Sequence, residues 1–113
     1  MITIYHNPRC GKSRECLAFL ETTNQEFEVI KYLEQPLNFN ELSELINKLN
    51  ITPIELIRTK EAIWIENYKG KTLSDTSIIQ AMVAYPILME RPIAVKGNRA
   101  VIARPLNAIE ALL

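Results

Sequence analysis

The sequence predicts an α/β fold: a mixed four-stranded sheet flanked by helices, with a helical insertion between a βαβ unit and a C-terminal ββα unit. Three observations predict it. A short β-branched run opens the chain and leads through Asn7-Pro8 into a helical pattern and then a second strand. Amphipathic segments with helix-start signals follow, with no strand pattern among them. Two short β runs around Gly97-Asn98 then precede a last helical segment.

Taken in order, Ile2 to Tyr5 is the first strand, and Cys16, Leu17 and Leu20 recur at the spacing of one helical face. Phe27 to Tyr32 is the second strand. A helical crossover between two strands is right-handed and makes them parallel. Asn38 with Glu41 three residues later starts a helix carrying Leu42, Leu45, Ile46 and Leu49. Thr52-Pro53-Ile54-Glu55 combines a capping hydroxyl, a proline suited to the first helical position and a glutamate at the third, so a short helix carries Arg58 near its end. Ser74 caps a helix with Ile78, Ile79, Met82 and Val83. Ile93–Lys96 and Arg99–Ala103 form a hairpin, and Pro105 opens a helix that turns Ile109, Leu112 and Leu113 inward. Two parallel strands, a late antiparallel hairpin and flanking helices match the thioredoxin-like layout.

Composition bounds the function. With 113 residues and 48% hydrophobic side chains the chain reads as a single domain over residues 1–113 with one core. Thirteen basic residues balance thirteen acidic ones, which leaves no cationic footprint for a nucleic-acid backbone. The longest apolar stretch, Ala81 to Met89, is interrupted by Pro86 and is about half of what a bilayer requires. The first residues lack an export signal, so the expected compartment is the cytoplasm and no membrane partner is expected. Two cysteines and one histidine do not make a four-ligand zinc set, and no metal or bound cofactor is expected.

The chemistry centres on Cys10 in Asn7-Pro8-Arg9-Cys10-Gly11-Lys12-Ser13-Arg14. A strand-to-helix loop leaves this thiol at a helix N-terminus, where backbone N–H groups and the helix dipole favour the thiolate. Arg9, Lys12, Arg14 and His6 add basic groups nearby, which weighs against a merely buried small hydrophobe. Cys16 falls on the apolar face of the helix and reads as core. Were both cysteines on one helix, six residues would separate them by about 9 Å, too far for a disulfide. His6 either tunes Cys10 or is a hydrogen-bonded structural residue, and Ser13 either donates to an anion or is an ordinary capping choice. Arg58, Arg91 and Arg104 sit at element ends; they either converge on an oxyanion or pair at the surface with carboxylates such as Glu90. Pro92, just before a strand, is either a strand-entry proline or a cis proline facing the active cysteine.

Five blocks in order, Tyr5 to Arg14, Tyr32-Leu33-Glu34, Ile57 to Glu61, Leu88 to Ile93 and Ala103-Arg104-Pro105, resemble the glutaredoxin-dependent arsenate reductase family nearly end to end, as a compact member. The resemblance implies Cys10 as nucleophile, Arg58, Arg91 and Arg104 as substrate-binding arginines, and His6, Ser13 and Arg14 in support. It further implies reduction of arsenate through a covalent Cys10 adduct, with glutathione as co-substrate and glutaredoxin as partner. A low-molecular-weight phosphatase would need an arginine where Cys16 stands. Cys10-Gly11-Lys12-Ser13 superficially resembles a monothiol glutaredoxin motif, but the Arg91-Pro92 block does not. An Spx-type polymerase-binding regulator would need a second cysteine where Ser13 stands, which leaves a redox-independent binding role or a thiol oxidoreductase of another substrate as alternatives.

Overall fold

The computed structural model describes residues 1–113. Two compact units divide the chain, one formed by Met1–Gln35 with Arg91–Leu113 and the other by Pro36–Glu90. The second is the expected insertion. No helix is long and apolar enough to cross a membrane.

In the first unit β1 (Ile2–His6), α1 (Gly11–Glu21), β2 (Phe27–Lys31), β3 (Ile93–Lys96) and β4 (Arg99–Ile102) build a sheet of order β2-β1-β3-β4. The α1 crossover makes β1 and β2 parallel, with Ile2 opposite Phe27 and His6 opposite Lys31. β3 lies antiparallel to both β1 and β4. The tight turn between β3 and β4 needs a left-handed residue, and Gly97 supplies it with φ of +61°.

Alternation along β1 buries Ile2, Ile4 and His6 on one face. Ile2 and Ile4 join Cys16 and Leu20 of α1, Ala94 of β3, and Ala103, Ile109 and Leu112 in the core of this unit. Each fully buried Ile or Leu there contributes about 1.5–3 kcal/mol. His6 continues the same inward series at the strand end, which carries a ring nitrogen to the base of the following loop. Both the Arg91–Pro92 and Arg104–Pro105 bonds are cis, one just before β3 and one just after β4, at the open end of the hairpin. Ala103 closes that hairpin by donating its N–H to the Pro92 carbonyl at 2.9 Å.

The second unit holds α2 (Phe39–Leu49), α3 (Ala62–Asn67), α4 (Asp75–Ala84) and 3₁₀ turns at Pro53–Leu56 and Pro86–Leu88. Asn38 and Glu41 form the expected reciprocal capping box, with bonds of 2.8 and 3.0 Å. Ser74 accepts the Ser77 N–H at the start of α4. Leu42, Leu45, Ile46, Ile78, Ile79 and Met82 are buried, as the helical spacing requires.

Four local expectations change. The Thr52–Glu55 segment is a 3₁₀ turn ending at Leu56, so Arg58 lies beyond it; Ile57 instead makes a β-bridge with Met89. The C-terminal segment is a 3₁₀ helix, Leu106–Leu112, and Leu113 is exposed rather than inward. Tyr32 and Ala103 fall outside the strands expected to contain them, although both are buried. α3 had no sequence signal, because one buried residue, Trp64, gives its six residues no periodicity to detect.

Candidate active site

The loop between β1 and α1 is organised by Asn7, which is buried. Its carbonyl accepts the Cys10 N–H at 3.0 Å, and its side-chain Oδ1 accepts the Arg9 N–H at 3.0 Å. Its own N–H is bonded to Ser13 Oγ at 3.0 Å. From the helix, Arg14 Nη1 reaches back to the Pro8 carbonyl at 3.0 Å. The loop is thus fixed from both sides. Cys10 takes the N-cap position of α1 with extended backbone, φ −95° and ψ 122°.

Burial works against ionisation of the Cys10 thiol, and three donors overcome it: hydrogen bonding from the Arg91 guanidinium and from the backbone N–H groups of Ser13 and Lys12. The positive charge of Arg91 adds to this, and the thiol ionises below its ordinary value. Arg91 is itself buried. It lies just before β3, whose antiparallel pairing with β1 brings that chain segment to the Cys10 loop.

The expected contribution of the neighbouring side-chain charges is corrected. Lys12 acts on the sulfur through its backbone, while its ammonium is exposed and 3.8 Å from Glu15. Arg14 shapes the loop through Pro8. His6 does not supply a positive charge: burial first, then Lys31 and Arg14, lower its pKa against the opposing pull of Ser13. Its Nδ1 lies 2.7 Å from Ser13 Oγ. The neutral imidazole can accept the Ser13 hydroxyl proton there while Ser13 Oγ accepts the Asn7 N–H. His6, Ser13 and Asn7 therefore form one buried hydrogen-bonded group beneath the loop.

Cys16 is fully buried in the α1 face of the core, and burial raises its pKa to about 11. No disulfide joins it to Cys10. Arg104 is partly buried in the same unit as Cys10, at the open end of the hairpin, the same end as Arg91, since Ile93 pairs with Ile102 and the Ala103 N–H bonds the Pro92 carbonyl. Arg58 belongs to the other unit, where its guanidinium is 3.2 Å from Glu61 and 4.0 Å from Glu90. The Glu90 pairing expected of a surface arginine is present. No group of three or more His, Cys, Asp or Glu side chains is placed to hold a metal ion.

Sequence reasoning overlooked Asn7 as more than a turn residue; an Asx residue two positions before Arg9, on a loop entering a helix, was the available signal.

A parallel β1–β2 pair, an antiparallel hairpin edge and an activated cysteine at the N-terminus of α1 define a thiol-bearing protein of thioredoxin-like fold. Residues 5–112 match the model of the ArsC family, and the chain belongs to that family. An arsenate reductase of Neisseria meningitidis is 38% identical over 99% of this chain and 97% of its own length. The uncharacterised protein YfgD of Escherichia coli is 46% identical over 92% of this chain and 89% of its own. The solved structure of an arsenate reductase from Vibrio cholerae superposes with a TM-score of 0.94 at 39% identity, over 99% of this chain and 97% of that one.

Proposed function

We propose that this chain is an arsenate reductase that uses Cys10 as its nucleophile and draws its electrons from glutathione and glutaredoxin in the cytoplasm. The observation that carries this reading is the Cys10 sulfur held against Arg91 and the first amides of α1, since the groups that favour a thiolate also favour a docked oxyanion. Arg104, in the same unit as Cys10 and Arg91, completes the substrate-binding set of that unit.

Arsenate docks against these donors, and the Cys10 thiolate attacks arsenic with loss of water, forming an S–As(V) bond. Glutathione thiol then attacks the Cys10 sulfur. An S–S bond forms, the S–As electron pair passes to arsenic, and arsenite leaves as As(III). Glutaredoxin removes the glutathionyl group by thiol exchange and restores Cys10. Two thiol sulfurs are oxidised for the two electrons arsenic gains. The burial of Cys16 supports an external thiol over an internal relay, because a thiol with a pKa of about 11 is almost wholly protonated near neutral pH.

The test is arsenate-dependent NADPH oxidation with glutathione, glutaredoxin and glutathione reductase, run beside a thioredoxin and thioredoxin reductase system. Cys10→Ser abolishes turnover, and Arg91→Ala lowers kcat/KM by about a hundredfold, as for loss of one charge-stabilising donor. Full activity in Cys10→Ser, or turnover supported by thioredoxin alone, would refute the mechanism.

A further inference from the structure

We propose that the groove beside the Cys10 loop, lined by Asn7, Pro8, Arg9, Lys31, Leu33 and Glu34, is the binding site for the glutathionyl tripeptide. This inference rests on the thiol-transfer reading above and assigns the residues that recognise the thiol donor.

The groove follows from the sheet. β1 and β2 are parallel with His6 opposite Lys31, so the segments leaving their C-terminal ends run side by side, one carrying Pro8 and Arg9 and the other Leu33 and Glu34. Crevices at the carboxyl ends of parallel strands are where α/β sheets hold ligands. The cavity is about 320 Å³, at the small end of ligand-binding clefts. Leu33 is 39% exposed, an apolar side chain left uncovered in a groove that also presents Lys31 and Glu34.

The charges are complementary to glutathione. Arg9 and Lys31 present two cations and Glu34 one carboxylate. Glutathione carries two carboxylates and one ammonium, with an apolar-backed cysteine between them. The ion pairs of the chain, Lys12–Glu15, Arg58–Glu61 and Arg58–Glu90, join none of the three groove charges to one another. Arg9 adjoins Cys10, and an extended tripeptide spans about 10 Å, so a peptide anchored at Lys31 and Arg9 keeps its central thiol at the loop.

The exchange Cys10–S⁻ + GS–SG → Cys10–S–SG + GS⁻ tests this without arsenate. One S–S bond breaks as another forms, and the oxidant is glutathione disulfide itself. Its rate is compared with that for bis(2-hydroxyethyl) disulfide, which is uncharged, and the readout is the ratio of the two. Wild type favours glutathione disulfide, and Lys31→Glu and Arg9→Glu each lower the ratio by about fivefold or more. Lys12→Glu makes the same charge change outside the groove and lowers it less. A wild-type ratio near one, an unchanged ratio in both groove variants, or an equal fall in Lys12→Glu would overturn the proposal; the last would mean diffuse charge steering. Because arsenate is absent, a preserved ratio alongside failed arsenate turnover would refute the arsenate reading and keep the groove.

Discussion

At the Cys10 sulfur, two kinds of donor meet: the amides of Lys12 and Ser13, which any helix N-terminus would present, and the Arg91 guanidinium, brought from the far end of the sequence. The helix contribution belongs to the loop, whereas the Arg91 contribution exists only in the folded sheet. Replacing Arg91 with Met removes both its hydrogen bond and its charge while keeping bulk. The midpoint of iodoacetamide alkylation of Cys10 against pH then moves upward from its wild-type position below the ordinary cysteine value. An unmoved midpoint would assign the whole effect to the helix amides. His6 and Ser13 operate at one remove, since both are buried and bonded to each other and to Asn7. Ser13→Ala leaves the Asn7 N–H and His6 Nδ1 without their partner, a loss of about 1–3 kcal/mol in urea unfolding. Stability within a few tenths of a kcal/mol of wild type would show that water replaces the hydroxyl.

Among the elements, α2 is the one whose ends are most completely specified. Its N-terminus carries the reciprocal Asn38–Glu41 box, its last turn has Lys48, and Asn50 ends it in the left-handed region with φ of 57°. Asparagine tolerates that conformation better than other non-glycine residues. Asn38→Ala deletes the acceptor for the Glu41 N–H and lowers stability by about 1 kcal/mol, read from the midpoint of urea denaturation at constant slope. A change within error would mean that tertiary packing of Leu42, Leu45 and Ile46, not the cap, sets where the helix begins. The contrast with α3 is physical. Six residues with one buried position have neither a stripe nor a side-chain cap, so packing around Trp64 has to impose the helix. The C-terminal segment shows the same limit: Ile109 and Leu112 are buried, but three-residue spacing fits a 3₁₀ helix as well as an α-helix.

For the whole molecule, Cys16 links the core to alkaline stability. Its pKa is about 11 in the folded chain against 9.0 unperturbed. Between these values the unfolded state has lost a proton that the native state retains, so this thiol's contribution is fully present below pH 9.0 and is lost as pH rises through about 11. The loss is on the order of 2 kcal/mol. Urea unfolding of wild type at pH 8 and pH 10.5 therefore shows a larger fall than in Cys16→Ala, whose core has no thiol to ionise. Equal falls would place the alkaline loss elsewhere. Since Cys16 takes no part in the proposed chemistry, Cys16→Ala also retains arsenate turnover if the reductase reading holds.

The β-branched opening, the Asn38 and Ser74 caps, the Gly97 turn and the placement of Cys10 at a helix start are set by bonds within a few residues, so each is legible in the local run of amino acids. Periodicity also assigned Cys16 to the core. Groups distant in sequence meet only once the chain has folded: Arg91 against the Cys10 sulfur, the burial and cationic neighbours that keep His6 neutral, and the groove between Arg9 and Lys31. Burial and strand register fix these. The one changes the cost of a charge, the other decides which loops become neighbours, and neither is a property of a local run of residues.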